Sequence, residues 1–216
     1  MSRIILCTHN LTEGDPTGAD LESDLFHGCE VGRGIGRPFR RAGFRVYRPL
    51  RDRKQILAWD PREIKKIKTS YRRFHRSGTA ERWDISTPPR GLLSFQGIIR
   101  DEDKKIAAGG TWVLNSWGKP EERERLDIVE RTTLPVIRKW IEDMEDWGAD
   151  YIYLMGDMNN VRWGGRNLRP LVQVAGAGEL DRILASPDNV VRTWHGPKTG
   201  EGRDMYHKSL HAEAVV

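Results

Sequence analysis

The feature of this sequence that most limits its fold is an apolar run that ends abruptly in polar residues. The run covers residues 151–155, and it is followed directly by Gly156-Asp157-Met158-Asn159. An unbroken apolar run of this length predicts a strand covered on both faces. Open α/β sheets place ligands at the carboxyl ends of such strands, where Asp can orient or deprotonate water and an Asn amide can donate to phosphate. Gly, Asp and Asn are equally expected in a plain strand-terminal turn.

Further apolar runs predict several more strands and one long helix. Strands are expected at residues 4–7, 43–48, 55–59, 91–99 and 105–114, and residues 24–31 form a short apolar stretch that ends in an acid. Apolar residues recur at helical spacing from Leu126 to Trp147, with Pro120 in the first turn and Gly148 as a stop. Pro135 should kink this helix or split it in two. The mixture of strands and helices favours an α/β or α+β sandwich.

Size and composition favour one globular domain over residues 1–216. Two cysteines, Cys7 and Cys29, cannot form a disulfide framework, so a reduced, cytoplasmic setting is expected. No run reaches the roughly 18 apolar residues of a membrane span. We therefore expect a soluble protein, a monomer, with no membrane partner.

Positive charge is concentrated in one segment of the chain. The net charge is only +5, but residues 33–76 contain 16 Lys and Arg against Asp52, Asp60 and Glu63. Such a segment favours a polyanionic partner, because each neutralised phosphate releases condensed counterions. The alternative is a solvated face that the acidic region 121–146 balances in space. Residues 62–76 could be helical or a mobile loop.

Several short motifs, taken in order, resemble the endonuclease/exonuclease/phosphatase superfamily. This superfamily includes pancreatic-type deoxyribonucleases, abasic-site endonucleases and inositol polyphosphate phosphatases. The resemblance covers most of the chain. Its matching segments are a first strand ending in Asn10, the stretch from Asp24 to Glu30-Val31, residues 156–159, the strand containing Asp181, and Ser209-Leu210-His211 near the end. It implies two packed, mostly antiparallel β-sheets flanked by helices, and a metal-dependent phosphodiesterase.

The resemblance also implies a role for each matched residue. Glu30 would hold a divalent ion, with Asn10 ordering the carboxylate or a coordinated water. Mg²⁺ fits best, with Mn²⁺ as the alternative, because hard cations prefer carboxylates, waters and phosphate. Asp157 would position or activate the attacking water, while Asn159 donates to a non-bridging oxygen. His211 would contact the scissile phosphate as an imidazolium held by Asp181.

Two positions depart from the family's pattern. Leu210 stands where the terminal motif has Asp, and it can neither bind a metal nor orient water; whether Asp204 substitutes stays open. Many family members have a catalytic His in the middle strand, where this chain has Trp112 and, three residues on, Asn115. The segment is closer to the variant of abasic-site endonucleases, so Asn115 is a candidate phosphate ligand.

Nucleic acid, DNA or RNA, is the favoured substrate. The basic segment 33–76 supports it, and the loop 161–166 combines two Arg with Trp163, which could stack on a base or merely anchor the loop. One alternative is a phosphatase or phosphodiesterase acting on a small phosphorylated molecule. Another is a degenerate, non-catalytic nucleic-acid-binding protein, which Leu210 makes credible.

Overall fold

The structure, a computed structural model, places twelve strands of the described part of the chain in two sheets. It describes residues 2–11, 15–50, 54–74, 90–113, 122–158, 168–176, 181–198 and 208–216. Within these ranges each sheet has six strands.

The first sheet has the order β11-β12-β1-β2-β4-β3. Its strands are β1 Arg3–Asn10, β2 Leu25–Cys29, β3 Arg45–Tyr47, β4 Gln55–Trp59, β11 Val190–Lys198 and β12 Lys208–Val215. A single turn of 3-10 helix, Asp20–Glu22, and a short helix, α1 Gly36–Arg41, lie between β1 and β3 along the chain.

The second sheet has the order β5-β6-β7-β8-β10-β9. Its strands are β5 Ile64–Arg73, β6 Gly91–Ile99, β7 Lys104–Trp112, β8 Tyr151–Asp157, β9 Val172–Ala175 and β10 Asp181–Ser186. Among the strand pairs formed by the described residues, only β1 with β2 and β7 with β8 run parallel. The predicted sandwich of two mostly antiparallel sheets is therefore confirmed.

Apolar side chains fill the space between the sheets and cover the outside of the second one. On β8, Tyr153 and Met155 face the first sheet, whereas Ile152 and Leu154 pack under the long helix α2, Glu122–Asp146. The unbroken apolar run of β8 is thus explained by burial on both faces. Helix α2 continues through Pro135, so the predicted split does not occur. None of the described helices combines the length and apolarity that crossing a membrane requires.

The basic segment after residue 62 is a strand, not the helix or loop expected from the sequence. Strand β5 pairs with β6 along its whole length, from Ile64 opposite Ile99 to Arg73 opposite Gly91. It lies at the edge of its sheet, and most of its side chains are exposed or half-buried. Because an edge strand can carry charges on both faces, the apolar alternation that marks a strand is missing.

Candidate active site

Four of the predicted site residues lie where strands of the two sheets begin or end. Asn10 is the last residue of β1, Glu30 follows β2, Asp157 ends β8 and Asp181 begins β10. Parallel pairing of β1 and β2 sets Asn10 opposite Cys29, directly before Glu30. In the second sheet, Asp157 is the register partner of Asp181, so both carboxylates lie on the same face.

A hydrogen bond between the sheets joins the two halves of this site. The Asn10 Nδ2 donates to Asp157 Oδ2 over 3.2 Å. Asn10, Asp157 and Asp181 are each only 2% exposed. Buried polar groups of this kind need partners, so the contact fixes the orientation of the Asp157 carboxylate.

Glu30 is held in a strained backbone conformation. Its φ is +52°, a left-handed value that is uncommon for a residue other than glycine. The backbone is tied on both sides, since Leu11 N–H donates to the Cys29 carbonyl and Val31 N–H donates to the Lys54 carbonyl. Strain of this kind costs about 1–3 kcal/mol and is found at active sites, although it also occurs in turns, as at Asp103 of this chain.

Three carboxylates of the site act electrostatically on the same buried thiol, that of Cys29. Burial raises the pKa of the Cys29 thiol well above its ordinary value, and Asp157, Asp181 and Glu30 raise it further, while Arg90 opposes them. Three carboxylates around one buried position repel one another, and a divalent cation offsets that repulsion. Their hard oxygen donors fit Mg²⁺ or Mn²⁺.

Arg90 is a cation of this site that no sequence pattern identifies. It is 9% exposed, its guanidinium lies 3.7 Å above the ring of Trp112, and Nη1 donates to the Val113 carbonyl. Trp112 is the register partner of Asp157, which places this stack beside the carboxylates. Arg90 follows two prolines outside any apolar pattern, so only the fold reveals its position.

A buried polar layer beneath the site connects the two sheets. His27 Nδ1 lies 3.3 Å from Thr8 Oγ1, and Nε2 lies 3.2 Å from Gln55 Oε1. Gln55 Nε2 then donates to the Gly91 carbonyl of the second sheet. Burial lowers the pKa of His27 to about 4, so this ring is neutral near pH 7.

The expectation for His211 needs correction, because the fold places it on the other side of the first sheet. Thr8 faces the second sheet and is paired with Leu210, so the next residue, His211, points outward with its own partner Cys7. There His211 stacks on Trp194 at 5.1 Å between ring centroids. Burial lowers its pKa, which disfavours the imidazolium expected at the phosphate.

Leu210, rather than His211, faces the second sheet. It is 2% exposed and belongs to the apolar core between the sheets, close to Gly176 of the segment after β9. An Asp there would be buried among apolar side chains. Three further candidates, Asn159, Asn115 and Asp204, lie outside the described residues, as does the loop 161–166.

Solved structures share this arrangement of strands. An endonuclease/exonuclease/phosphatase from Bacteroides vulgatus matches with a TM-score of 0.69 and 12% identity over 100% of both chains. The chain has the endonuclease/exonuclease/phosphatase fold. D. rerio TDP2, in a complex with single-strand DNA product, matches over 100% of both chains with a TM-score of 0.64 and 14% identity. The human Nocturnin catalytic domain, with bound sulfate, matches over 98% of this chain and 92% of its own, with a TM-score of 0.66 and 12% identity. No family model and no curated protein sequence matches the chain.

Proposed function

We propose that this chain is a metal-dependent phosphodiesterase that hydrolyses nucleic acid, with DNA as the favoured substrate. The observation that carries the proposal is the hydrogen bond from Asn10 to Asp157 across the two sheets, with Glu30 and Asp181 at the adjoining strand ends. Three acids and an amide at one edge of a sandwich form an oxygen-rich site suited to phosphoryl chemistry.

Each side chain of the site is proposed to have the role that its chemistry allows. Glu30 and Asp181 would hold Mg²⁺, with Mn²⁺ as the alternative. When bound, the ion would offset negative charge on the reacting phosphate and the leaving oxygen. Asp157, fixed by Asn10, would orient the attacking water and accept its proton. Asn159 and Asn115 remain proposed donors to phosphate oxygens.

Arg90 is proposed as the phosphate-binding cation of this site. His211 faces away from the proposed site. Arg90 lies beside Asp157, and its positive charge acts on the Cys29 thiol, as the charges of the three carboxylates do. A planar guanidinium suits the oxygens of a phosphodiester, and its stack on Trp112 holds it in one orientation.

The nucleic acid is proposed to reach the site past the basic edge strand β5. Arg73 is exposed at the end of β5 opposite Gly91, next to Arg90, whereas Lys65 is exposed at the far end, roughly 27 Å away at 3.3–3.4 Å per residue. Arg73→Gln should weaken binding of a single-stranded oligonucleotide and reduce its salt dependence, while Lys65→Gln should change both less. Equal effects of the two substitutions on the measured Kd would contradict this path.

Hydrolysis itself is tested with a small panel of substrates. The protein is incubated with a single-stranded oligonucleotide, supercoiled plasmid and p-nitrophenyl phosphate, each with Mg²⁺, Mn²⁺ or a chelator. We expect cleavage of DNA that requires the metal. Hydrolysis of the small ester alone would assign the chain to phosphatases, and salt-sensitive DNA binding without cleavage would make it the non-catalytic protein that Leu210 suggests.

A further inference from the structure

A second polar cluster lies on the outer face of the first sheet, away from the proposed catalytic edge. Cys7 Sγ lies 3.4 Å from Asp20 Oδ1 and 3.8 Å from His211 Nε2. The ligand atoms of these three residues are all within 4.8 Å of one another. All three side chains are buried, with exposures of 0–1%.

We propose that Cys7, Asp20 and His211 form a binding site for a transition-metal ion, with Zn²⁺ as the preferred ion. Zinc binds Cys at about 2.3 Å and His or carboxylate ligands at about 2.0–2.2 Å in a tetrahedron, so neighbouring ligand atoms lie roughly 3.3–3.8 Å apart. The two shorter separations at Cys7 already have this length. Ser209 Oγ lies 3.0 Å from His211 Nε2, so a hydroxyl oxygen also borders the cluster.

Residues around the cluster hold the proposed ligands in place. His9 Nδ1 lies 3.1 Å from Asp20 Oδ2, and Thr17 N–H donates to the same oxygen over 2.7 Å. Partners behind a metal ligand orient it in this way in known metal sites.

Without an ion, the Cys7 thiol donates a hydrogen bond to Asp20 Oδ1. With the ion bound, Cys7 would be a thiolate and Asp20 a carboxylate, and Zn²⁺ would neutralise their two negative charges. Binding replaces the thiol proton of Cys7 with the metal, so Cys–SH and Zn²⁺ give a Zn–S bond and one proton released to solvent.

The proposed zinc site uses different residues and a different face of the first sheet from the proposed catalytic site. Cys7 and Asn10 lie on opposite faces of β1, because they are three residues apart on a strand. The catalytic edge offers oxygen donors, which suit Mg²⁺, whereas a thiolate and an imidazole select softer ions. The three ligands join β1, β12 and the 3-10 turn, so a bound ion would crosslink the outer layer of the first sheet.

Cobalt titration of the metal-free protein tests the site, because Co²⁺ bound to thiolate gives a near-ultraviolet charge-transfer band. The wild type should develop this band with one Co²⁺ per chain, and Zn²⁺ should abolish it. Cys7→Ser should lose it and bind Zn²⁺ at least about 10-fold more weakly. The matched control is Cys29→Ser, which removes the other buried thiol and should keep the band.

The outcomes are separable from those for the catalytic site, since no cleavage is measured. A wild-type protein that stays folded and gives no thiolate band with excess Co²⁺ would overturn the proposal. A band that disappears in Cys29→Ser and persists in Cys7→Ser would overturn it as well. Thermal unfolding gives a second readout: Zn²⁺ should raise the Tm of the wild type and leave that of His211→Gln unchanged.

Discussion

The buried His27 should make the free energy of unfolding depend on pH in a direction that the structure fixes. Its pKa falls from an ordinary value of 6.5 to about 4, because burial disfavours the charged ring. The unfolded chain therefore binds a proton at His27 between about pH 6.5 and 4 that the folded chain does not bind. His27 thus lowers stability as the pH falls through this window, and its contribution is unchanged above it.

The size of the effect follows from the same two values. Each unit of pKa difference corresponds to about 1.4 kcal/mol, so a fall of about 2.5 gives at most about 3 kcal/mol. Most of this difference should be present at pH 4.5. His27→Gln removes the titrating ring, so the advantage of the wild type over this variant at pH 7.5 should shrink by about 2–3 kcal/mol at pH 4.5.

Urea unfolding of the wild type and of His27→Gln at both pH values measures this difference. Comparing the two proteins cancels groups that titrate in both, including Asp24, whose pKa burial raises to about 6. Ile106→Val is the control, because it removes one buried methyl group and its cost should be the same at both pH values. If the stability cost of His27→Gln were as independent of pH as that of Ile106→Val, the conclusion that His27 is buried and neutral would be refuted.

Other substitutions test the packing around the site. A Cβ at Gly156 would lie 1.8 Å from the Thr111 carbonyl oxygen at a φ of +145°, so Gly156→Ala should cost about 2–6 kcal/mol in urea unfolding. Gly34→Ala, where a Cβ meets nothing within 4 Å, should change stability by no more than about 1 kcal/mol; similar costs at both would contradict the close approach. Trp140→Ala should cost about 3–5 kcal/mol, because it empties a fully buried site under α2 and removes the hydrogen bond to Ser94. A loss below about 1 kcal/mol would contradict that packing.

The sequence was sufficient where a single pattern determined the outcome. The apolar run of β8 predicted its burial on both faces, and the family resemblance named Asn10 and Asp157, which are in contact in the fold. The sheets, rather than sequence spacing, bring these two residues together. The single domain and the cytoplasmic setting stay predictions.

Other features depended on information that a one-dimensional pattern lacks. The sequence of β5 lacks the alternation of apolar and polar residues that predicts a strand, because both faces of an edge strand can be solvated and carry charges. The face of His211 depends on strand register, and a shift of one residue would exchange it with Leu210. Arg90 became visible as a site residue only through its stack on Trp112.

The most direct test of the proposed site is the metal-dependent rate of DNA cleavage by Asp157→Asn. This substitution keeps the size and burial of the side chain but removes its charge and its ability to accept a proton. The rate should fall by about 100-fold or more relative to the wild type, as for the loss of a general base. Asp188→Asn, at an exposed position outside the site, is the matched control and should keep the full rate. Cleavage by Asp157→Asn at the wild-type rate would contradict the assignment of this edge of the sandwich as the active site.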